Sequence, residues 1–335
     1  MIKNISKTFL LIVFALCILC VIYPALLWGI GRIFFPFQAS GSVLFGPSGK
    51  PVGSALIAQP FTHDEYFQPR PSAASYNASA SASAALAASN YQLRSRVAMM
   101  LGPISCYKGG LNAGKPVAPD IEKWFQKDTF QSAPSIVGQW ADAHSSNAQA
   151  WISADSGHAR YVNKWANAHP NDVAQFVKDN PGIPKPAASD LAVVFFKSFS
   201  KENPGKFPGI ASGSQLDPVS AGTDIQSNFF DMWRQDNPDV SLKELPGDLV
   251  TTSASGLDPH ITLENARFQL DRVAPKWAEI THHDLAQVRD EIQQVLEANE
   301  FAPLNGLVGE KMVNVLKVNL ELQKQYASSV ASQSH

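Results

Sequence analysis

The sequence predicts an α/β (α+β) domain held by one N-terminal transmembrane helix, with a mainly α-helical subdomain inserted into it. Three observations predict this. An uncharged run, "TFLLIVFALCILCVIYPALLWGIG", fills residues 8–31. Short apolar runs punctuated by Gly, Pro and Ser occupy the stretches on either side of the middle of the chain. The middle, 99–235, holds five of the seven tryptophans and a series of helical patterns with capping residues. The 335 residues are 45% hydrophobic and 17% charged, which supports a real core and excludes both a disordered chain and a polytopic membrane protein. A net charge of −2 points to no nucleic acid. Cys17, Cys20 and Cys106 are too few for a disulfide framework, and no zinc-ligand spacing is present.

As a helix, residues 8–31 would span about 36 Å at about 1.5 Å per residue, enough to cross the hydrocarbon core of a bilayer. The run is longer than a signal-peptide core and lacks a small-x-small ending. Leucine precedes both Cys17 and Cys20, against a lipoprotein signal. Tyr23, Trp28 and the Phe34–Phe37 cluster suit a membrane interface, and Pro24 is tolerable in a span. Lys3, Lys7 and the α-amino group flank one end, while Arg32 stands alone at the other until Lys50. The positive-inside rule then keeps tail 1–7 in the cytoplasm and exports about 300 residues. The expected location is the inner (plasma) membrane, single-pass, with the main domain periplasmic.

Beyond the span, "GSVLFGPSGKPVGSALIAQPF" reads as a hairpin. Its "SGK" is no phosphate loop, because Pro51 stands where Ser or Thr belongs. "NYQLRSRVAMML" has helical periodicity, with Leu93, Val97 and Leu101 near one stripe. In the middle stretch, "APDIEKWFQKD" offers Asp120 as an N-cap. An imperfect repeat follows: "WADAHSSNAQAWISAD" from Trp140 and "WANAHPNDVAQFVKDN" from Trp165. Two copies, or three with "IEKWFQKD" as a degenerate one, are too few for a solenoid and favour a small helical subdomain whose aromatics pack helix on helix. His144 and His169 match across the repeat. Each is read as a turn between two helices, capping or facing solvent, or else as a metal ligand whose third partner no spacing supplies. "HARYVNKW" and the His282–His283 pair admit the same two readings.

In the last hundred residues, "LVTTSASG" is strand-like and leads into a helix capped by Asp258 or Thr262. That helix carries Ile261, Ala266, Phe268, Leu270 and Val273 on its apolar side and is expected to end at Pro275. "HHDLAQVRDEIQQVLEAN" is amphipathic through Leu285, Val288, Ile292 and Leu296. "MVNVLKVNLELQKQ", with Val313, Leu316, Val318 and Leu320, fits a buried strand passing into a helix, and 327–335 reads as a disordered tail.

Two blocks of motifs carry a family resemblance. The first is "YPALL" in the span, then "FPFQASGSVL", "GSALIAQPFTHDEYFQPRPSA", "YNASAS" and "SNYQLRSRV"; the second is "DNPDV…LVTTSASGLDPHIT…ARFQLDRVA" with "GEKMVNVLKVNLEL". In order and spacing they resemble the C subunit of the Kdp potassium-transporting P-type ATPase, the KdpC family. The resemblance implies a discontinuous periplasmic domain over 32–98 and 236–326, with 99–235 as an insertion of unknown role. It marks Tyr66, Phe67, Arg70, Pro71, Ser72, Tyr76, Asn77, Ser89, Asn90 and Asp258 as candidate motif or subunit-interface residues. Small residues from Ala73 to Ser89 would let a turn-rich segment pack closely, while the aromatics of "YFQPRPSA" serve as a contact surface or as internal core. The chain departs from the family at Ser83, Ala84 and Ala85, where a Gly-Gly-Ser-Asn-Leu turn is usual.

The resemblance further implies an accessory, non-catalytic subunit that supports assembly and coupling of a high-affinity potassium uptake complex. Its partners would be an ATP-hydrolysing KdpB-like P-type subunit, a channel-like KdpA-like subunit, and membrane lipid. No cofactor is bound stably and no metal or catalytic residue is assigned. ATP would be reached only through the partner ATPase subunit, as a catalytic chaperone of that subunit would reach it. The alternative is a membrane-anchored periplasmic ligand-binding protein or enzyme with its site in 99–235. No G-x-S-x-G, H-E-x-x-H or paired-cysteine motif is present to give that enzyme a mechanism. Exposed tryptophans in the insertion could also make it a protein-docking module.

Overall fold

The computed structural model describes residues 2–83, 86–210 and 216–333. The α-amino group invoked for orientation, and Ala84 and Ala85 of the departed family turn, lie outside the described residues. The chain divides into two compact units, one built from 1–85 and 246–335, the other from 86–245.

The first unit begins with a helical run, α1 (Ile2–Cys17), a π-helical turn (Ile18–Ile22) and α2 (Tyr23–Phe34). The π turn has a local cause. Pro24 has no N–H to give and its ring crowds the carbonyl four residues back, so the ladder widens and the Tyr23 N–H reaches the Ile18 carbonyl instead. Of this run, the 30 residues Ile5–Phe34 are long and apolar enough to cross a membrane, and none of their most apolar window is buried. Arg32 lies 5.9 Å above the Trp28 ring. After α3 (Pro36–Ala39) comes the expected hairpin, β1 (Val43–Phe45) against β2 (Pro51–Ser54), antiparallel, with "SGK" in its turn.

The second unit opens with α4 (Tyr91–Leu101), capped by Asn90, whose side chain accepts the Gln92 N–H. Ser95 and Ala98 are its buried residues, whereas Leu93, Val97 and Leu101 are half-buried. Gly102 allows a close helix crossing, because a Cβ there would collide with the Gln226 carbonyl. Helix α5 (Ala118–Phe125) starts before Asp120, which is therefore a first-turn residue accepting the Tyr107 hydroxyl at 2.7 Å and not the N-cap. A small hairpin, β3 (Thr129–Phe130) and β4 (Ala133–Pro134), leads to α6 (Ile136–Ala143), α7 (Ser145–Ala154), α8 (Ser156–Ala168) and α9 (Pro170–Asp179).

The sequence repeat is a structural one. His144 joins α6 to α7 and His169 joins α8 to α9, with nearly equal backbone angles (φ −124, ψ 46 and φ −121, ψ 57). Their surroundings differ. His144 is buried, not solvent-facing, and stacks on Tyr91; His169 stacks on its own Trp165 and pairs with Glu202 at 3.2 Å. Helix α10 (Ala192–Glu202), the ladder β5 (Phe207–Ile210) with β6 (Leu216–Val219), and α11 (Thr223–Asp236) complete the unit. Its core is aromatic. Trp140 is fully buried with Phe196, Phe207 and Phe229 at 5.1–5.7 Å; Trp124, Trp165 and Trp233 are buried too, and Trp151 is half-buried and stacked on His158, so these rings pack into the core instead of standing out as exposed anchors.

The first unit then resumes. "LVTTSASG" forms no strand: α12 (Gly247–Val250) is followed by bends, with the Thr251 hydroxyl donating back to the Gly247 carbonyl. Serine and threonine side chains that bond nearby backbone compete with strand pairing. Strand β7 (His260–Thr262) pairs antiparallel with β8 (Met312–Asn314), and α13 (Leu263–Thr281), α14 (Leu285–Ala298) and α15 (Val315–Gln333) pack around them. Thr262 caps α13, accepting the Asn265 N–H. Ile261 belongs to β7, not to the helix.

Pro275 does not end α13, which runs on to Thr281 because Trp277 and Thr281 are buried beyond it. That burial outweighs one lost helical bond. On α14 the buried stripe is Val288, Ile292, Val295 and Leu296, while Leu285 is 47% exposed. Asp284 caps it. Helix α15 continues to Gln333, past residue 327, where the sequence suggested a tail; 334–335 lie outside the described residues.

Candidate functional site

The motif residues of the first unit meet around segment 61–82, which contains no helix or strand. An irregular segment must still satisfy its backbone N–H and C=O groups. Long polar side chains from α13 and α15 do so. The Phe67 N–H donates to Asn319 Oδ1 at 2.9 Å, and Asn319 Nδ2 donates to the Phe67 carbonyl at 2.9 Å. Gln269 clasps Gln68 in the same two-point manner, at 2.7 and 2.9 Å. Arg272 donates to the carbonyls of Asp64 and Tyr66.

With its backbone held, Phe67 is buried in the core formed by β7, β8 and the three helices. Tyr66 packs at its edge, its ring 5.5 Å from Phe61 and its hydroxyl accepting from Gln323. Of the two readings for these aromatics, Phe67 is internal core.

The next turn engages the "TTSASG" loop. Arg70 donates to the Thr251 carbonyl at 3.3 Å, the Thr251 hydroxyl at 3.2 Å and the Thr252 carbonyl at 3.1 Å. Pro71 is half-buried beside it. The Ser72 hydroxyl donates to the Gly256 carbonyl and accepts from Ala74 and Tyr76 N–H groups. Tyr76, held with φ at +57, donates its hydroxyl to the Arg70 carbonyl, and burial pushes that phenol's pKa up. Ala82 N–H and the Ser81 hydroxyl both reach the Ser255 carbonyl.

Gly256 is required here. Its φ is +71, and a Cβ would lie 2.8 Å from the Ala82 carbonyl oxygen. The two motif blocks, some 180 residues apart in the chain, thus close on each other as one polar clasp.

Asp258 sits at the end of this loop and is not a helix cap. Its carboxylate accepts the His260 N–H at 3.0 Å and pairs with the His260 ring at 2.9 Å, which holds its pKa below the usual carboxylate value. Asn77 closes a local turn by accepting from Ser79. Ser89 and Asn90 belong to the second unit, Ser89 exposed in a turn and Asn90 as the α4 cap. Sequence reasoning missed Asn319, Gln269, Arg272 and Thr251. For Asn319 a signal existed: an amide inside the apolar run "VLKVNLEL" must be satisfied when that helix is buried.

The profile of the family described as KdpC, K+-transporting ATPase, c chain, matches residues 5–121 and 208–324. The chain belongs to the KdpC family. Curated relatives named potassium-transporting ATPase KdpC subunit include that of Clostridium kluyveri, 24% identical over 323 residues, covering 96% of this chain and 94% of the relative. That of Bradyrhizobium diazoefficiens is 26% identical over 328 residues, covering 98% and 100%. That of Methanosphaerula palustris is 49% identical, but over 75 residues, 22% of this chain and 40% of the relative. KdpC is a subunit of the potassium-transporting ATPase, so this chain is a component of a potassium uptake complex, and among the described residues one helix, near the N-terminus, is long and apolar enough to cross a membrane. The KdpC profile leaves 122–207 unmatched.

Proposed function

We infer that this chain is the accessory subunit that supports assembly and coupling of the uptake complex, and that it does not itself hydrolyse ATP. The observation that carries the reading is the helix Ile5–Phe34, whose most apolar window is entirely unburied by the rest of the chain. A surface of that size and composition is covered by lipid and by the helices of other subunits. In this reading Lys3 and Lys7 keep the N-terminus cytoplasmic, and the main domain lies on the periplasmic side, where it meets the channel-like KdpA-like subunit.

The motif residues support a structural role. Arg70, Ser72, Tyr76 and Asp258 spend their hydrogen bonds on one another's loops and not on an open cleft. Any rise in ATP affinity would reach the ATP-hydrolysing KdpB-like subunit through different contacts with its conformational states, with no cofactor held by this chain.

The test is extraction in mild detergent followed by affinity purification of this chain. An ATP-hydrolysing P-type subunit and a larger channel-like subunit should co-purify at fixed stoichiometry; recovery alone would sink the reading. For topology, protease added to spheroplasts should digest most of the chain, and full protection would reverse the orientation.

A further inference from the structure

The inserted unit holds a recess of about 450 Å³ where the neck of the β3–β4 hairpin meets α6 and α10. Recesses of this volume suit small molecules. Every residue lining it lies between 128 and 204, inside the stretch 122–207 that the KdpC profile does not match. Whatever it binds is additional to what that profile captures.

Two left-handed residues frame the recess. Asp128 has φ +54 and Ser135 has φ +66, at the two ends of the hairpin. The Ser135 N–H donates to the Asp128 carbonyl at 2.8 Å, and the Ile136 N–H donates to the Asp128 carboxylate at 3.2 Å. Side chains other than glycine avoid this backbone conformation, and it persists where the surroundings over-determine it. Here the frame is closed by Ser135 Oγ, which accepts the Gly138 N–H and meets Ser200 Oγ; Ser200 in turn donates to the Lys197 carbonyl. The two serines are therefore part of the wall, their bonding capacity committed to holding its shape.

Charge selects the ligand. Lys197 and Asp142 neutralise each other at 2.7 Å. Asp128 and Lys201, which also line the recess, have no ion-pair partner among the described residues. The Asp128 carboxylate, with one oxygen on the Ile136 N–H, and the Lys201 ammonium are thus left without a counter-charge among the described residues. A simple anion would meet repulsion from Asp128, and a simple cation would meet it from Lys201. A ligand carrying both charges satisfies both. No aromatic ring lines the recess, so it lacks the stacking face that sugars and nucleobases use. We propose that this recess binds a small zwitterion of the α-amino-acid class, carboxylate toward Lys201 and ammonium toward Asp128.

The test is isothermal titration of the full chain in detergent with each proteinogenic amino acid, and separately with inorganic phosphate and with methylamine. At least one amino acid should bind saturably, and its affinity should fall tenfold or more in Lys201→Gln and in Asp128→Asn. The asparagine keeps an oxygen for the Ile136 N–H, and circular dichroism checks the fold of each variant. If Asp128→Asn melts, Lys201→Gln decides alone, since Lys201 is exposed and its loss leaves the core untouched. The proposal is overturned if no amino acid binds the wild-type chain, or if affinity is unchanged in the folded variants. It is equally overturned if phosphate or methylamine alone displaces the amino acid at equal concentration, because the recess then reads a single charge.

Discussion

Phe67 and Asn319, 252 residues apart in the chain, are joined by a two-point hydrogen bond in which one amide side chain satisfies both the N–H and the C=O of one residue. Both are about 1% exposed. The pairing does for an irregular segment what a neighbouring strand does in a sheet, and it fixes the depth to which the motif segment is drawn into the core.

Asn319→Ala leaves those two buried groups without partners, at about 1–3 kcal/mol each. Hydrogen exchange of the Phe67 amide should accelerate by at least about tenfold, with amides of the second unit unchanged. An unaltered rate at Phe67 would show that the bond does not hold the segment.

Gly256→Ala should open the clasp. It places a side chain at φ +71 and against the Ala82 carbonyl, at a cost of about 1–3 kcal/mol from the backbone alone. Limited proteolysis should then cut within 72–82 faster than in the wild-type chain, and the yield of assembled complex should fall.

Arg70→Ala removes three donations to Thr251 and Thr252, a loss of about 1.5–3 kcal/mol for bonds from a charged group. Arg70→Lys should restore little of it, because an ammonium cannot reproduce the planar fork that spans both residues. Potassium-stimulated ATP hydrolysis and complex yield should drop in both variants. Wild-type values in Arg70→Ala would remove this residue from the coupling role.

His144 predicts a pH dependence in the second unit. Burial, the largest cause, lowers its pKa from the ordinary 6.5; Asp231 opposes the shift and Arg94 adds to it. The unfolded chain therefore takes up the proton first. The stability this group contributes is present above pH 6.5 and is lost as pH falls from there through the lowered folded value. Thermal melts from pH 7.5 to 5 should show a steeper loss in the wild type than in His144→Gln, which keeps a partner for the Tyr91 hydroxyl. Parallel profiles would refute this.

Much of the architecture was legible from residues close together in the chain. The span needs only the uncharged run, the hairpin only its turn glycines, and the cap Thr262 only a side-chain oxygen beside free N–H groups. The repeat was legible too, because Trp140 and Trp165 precede their histidines at the same spacing. The candidate site was legible as a set of motifs but not as an arrangement. Arg70 could be named, yet nothing near it in the chain says that Thr251 and Thr252 receive its guanidinium.

By itself, the sequence determined the elements governed by local chemistry: helix periodicity, capping, turn residues and an apolar length sufficient for a bilayer. Only the tertiary structure decided that "LVTTSASG" becomes a loop around Arg70, that α13 runs through Pro275, and that Leu285 stays outside while Val295 goes in. The physical reason is range. Local preferences amount to about 1 kcal/mol or less for most residues and about 3 kcal/mol for a proline inside a helix, while burial of each large apolar side chain contributes about 1.5–3 kcal/mol, sums over a helix face and depends on partners far along the chain. Where the two conflict, as at Pro275 beside Trp277, the distant partners prevail.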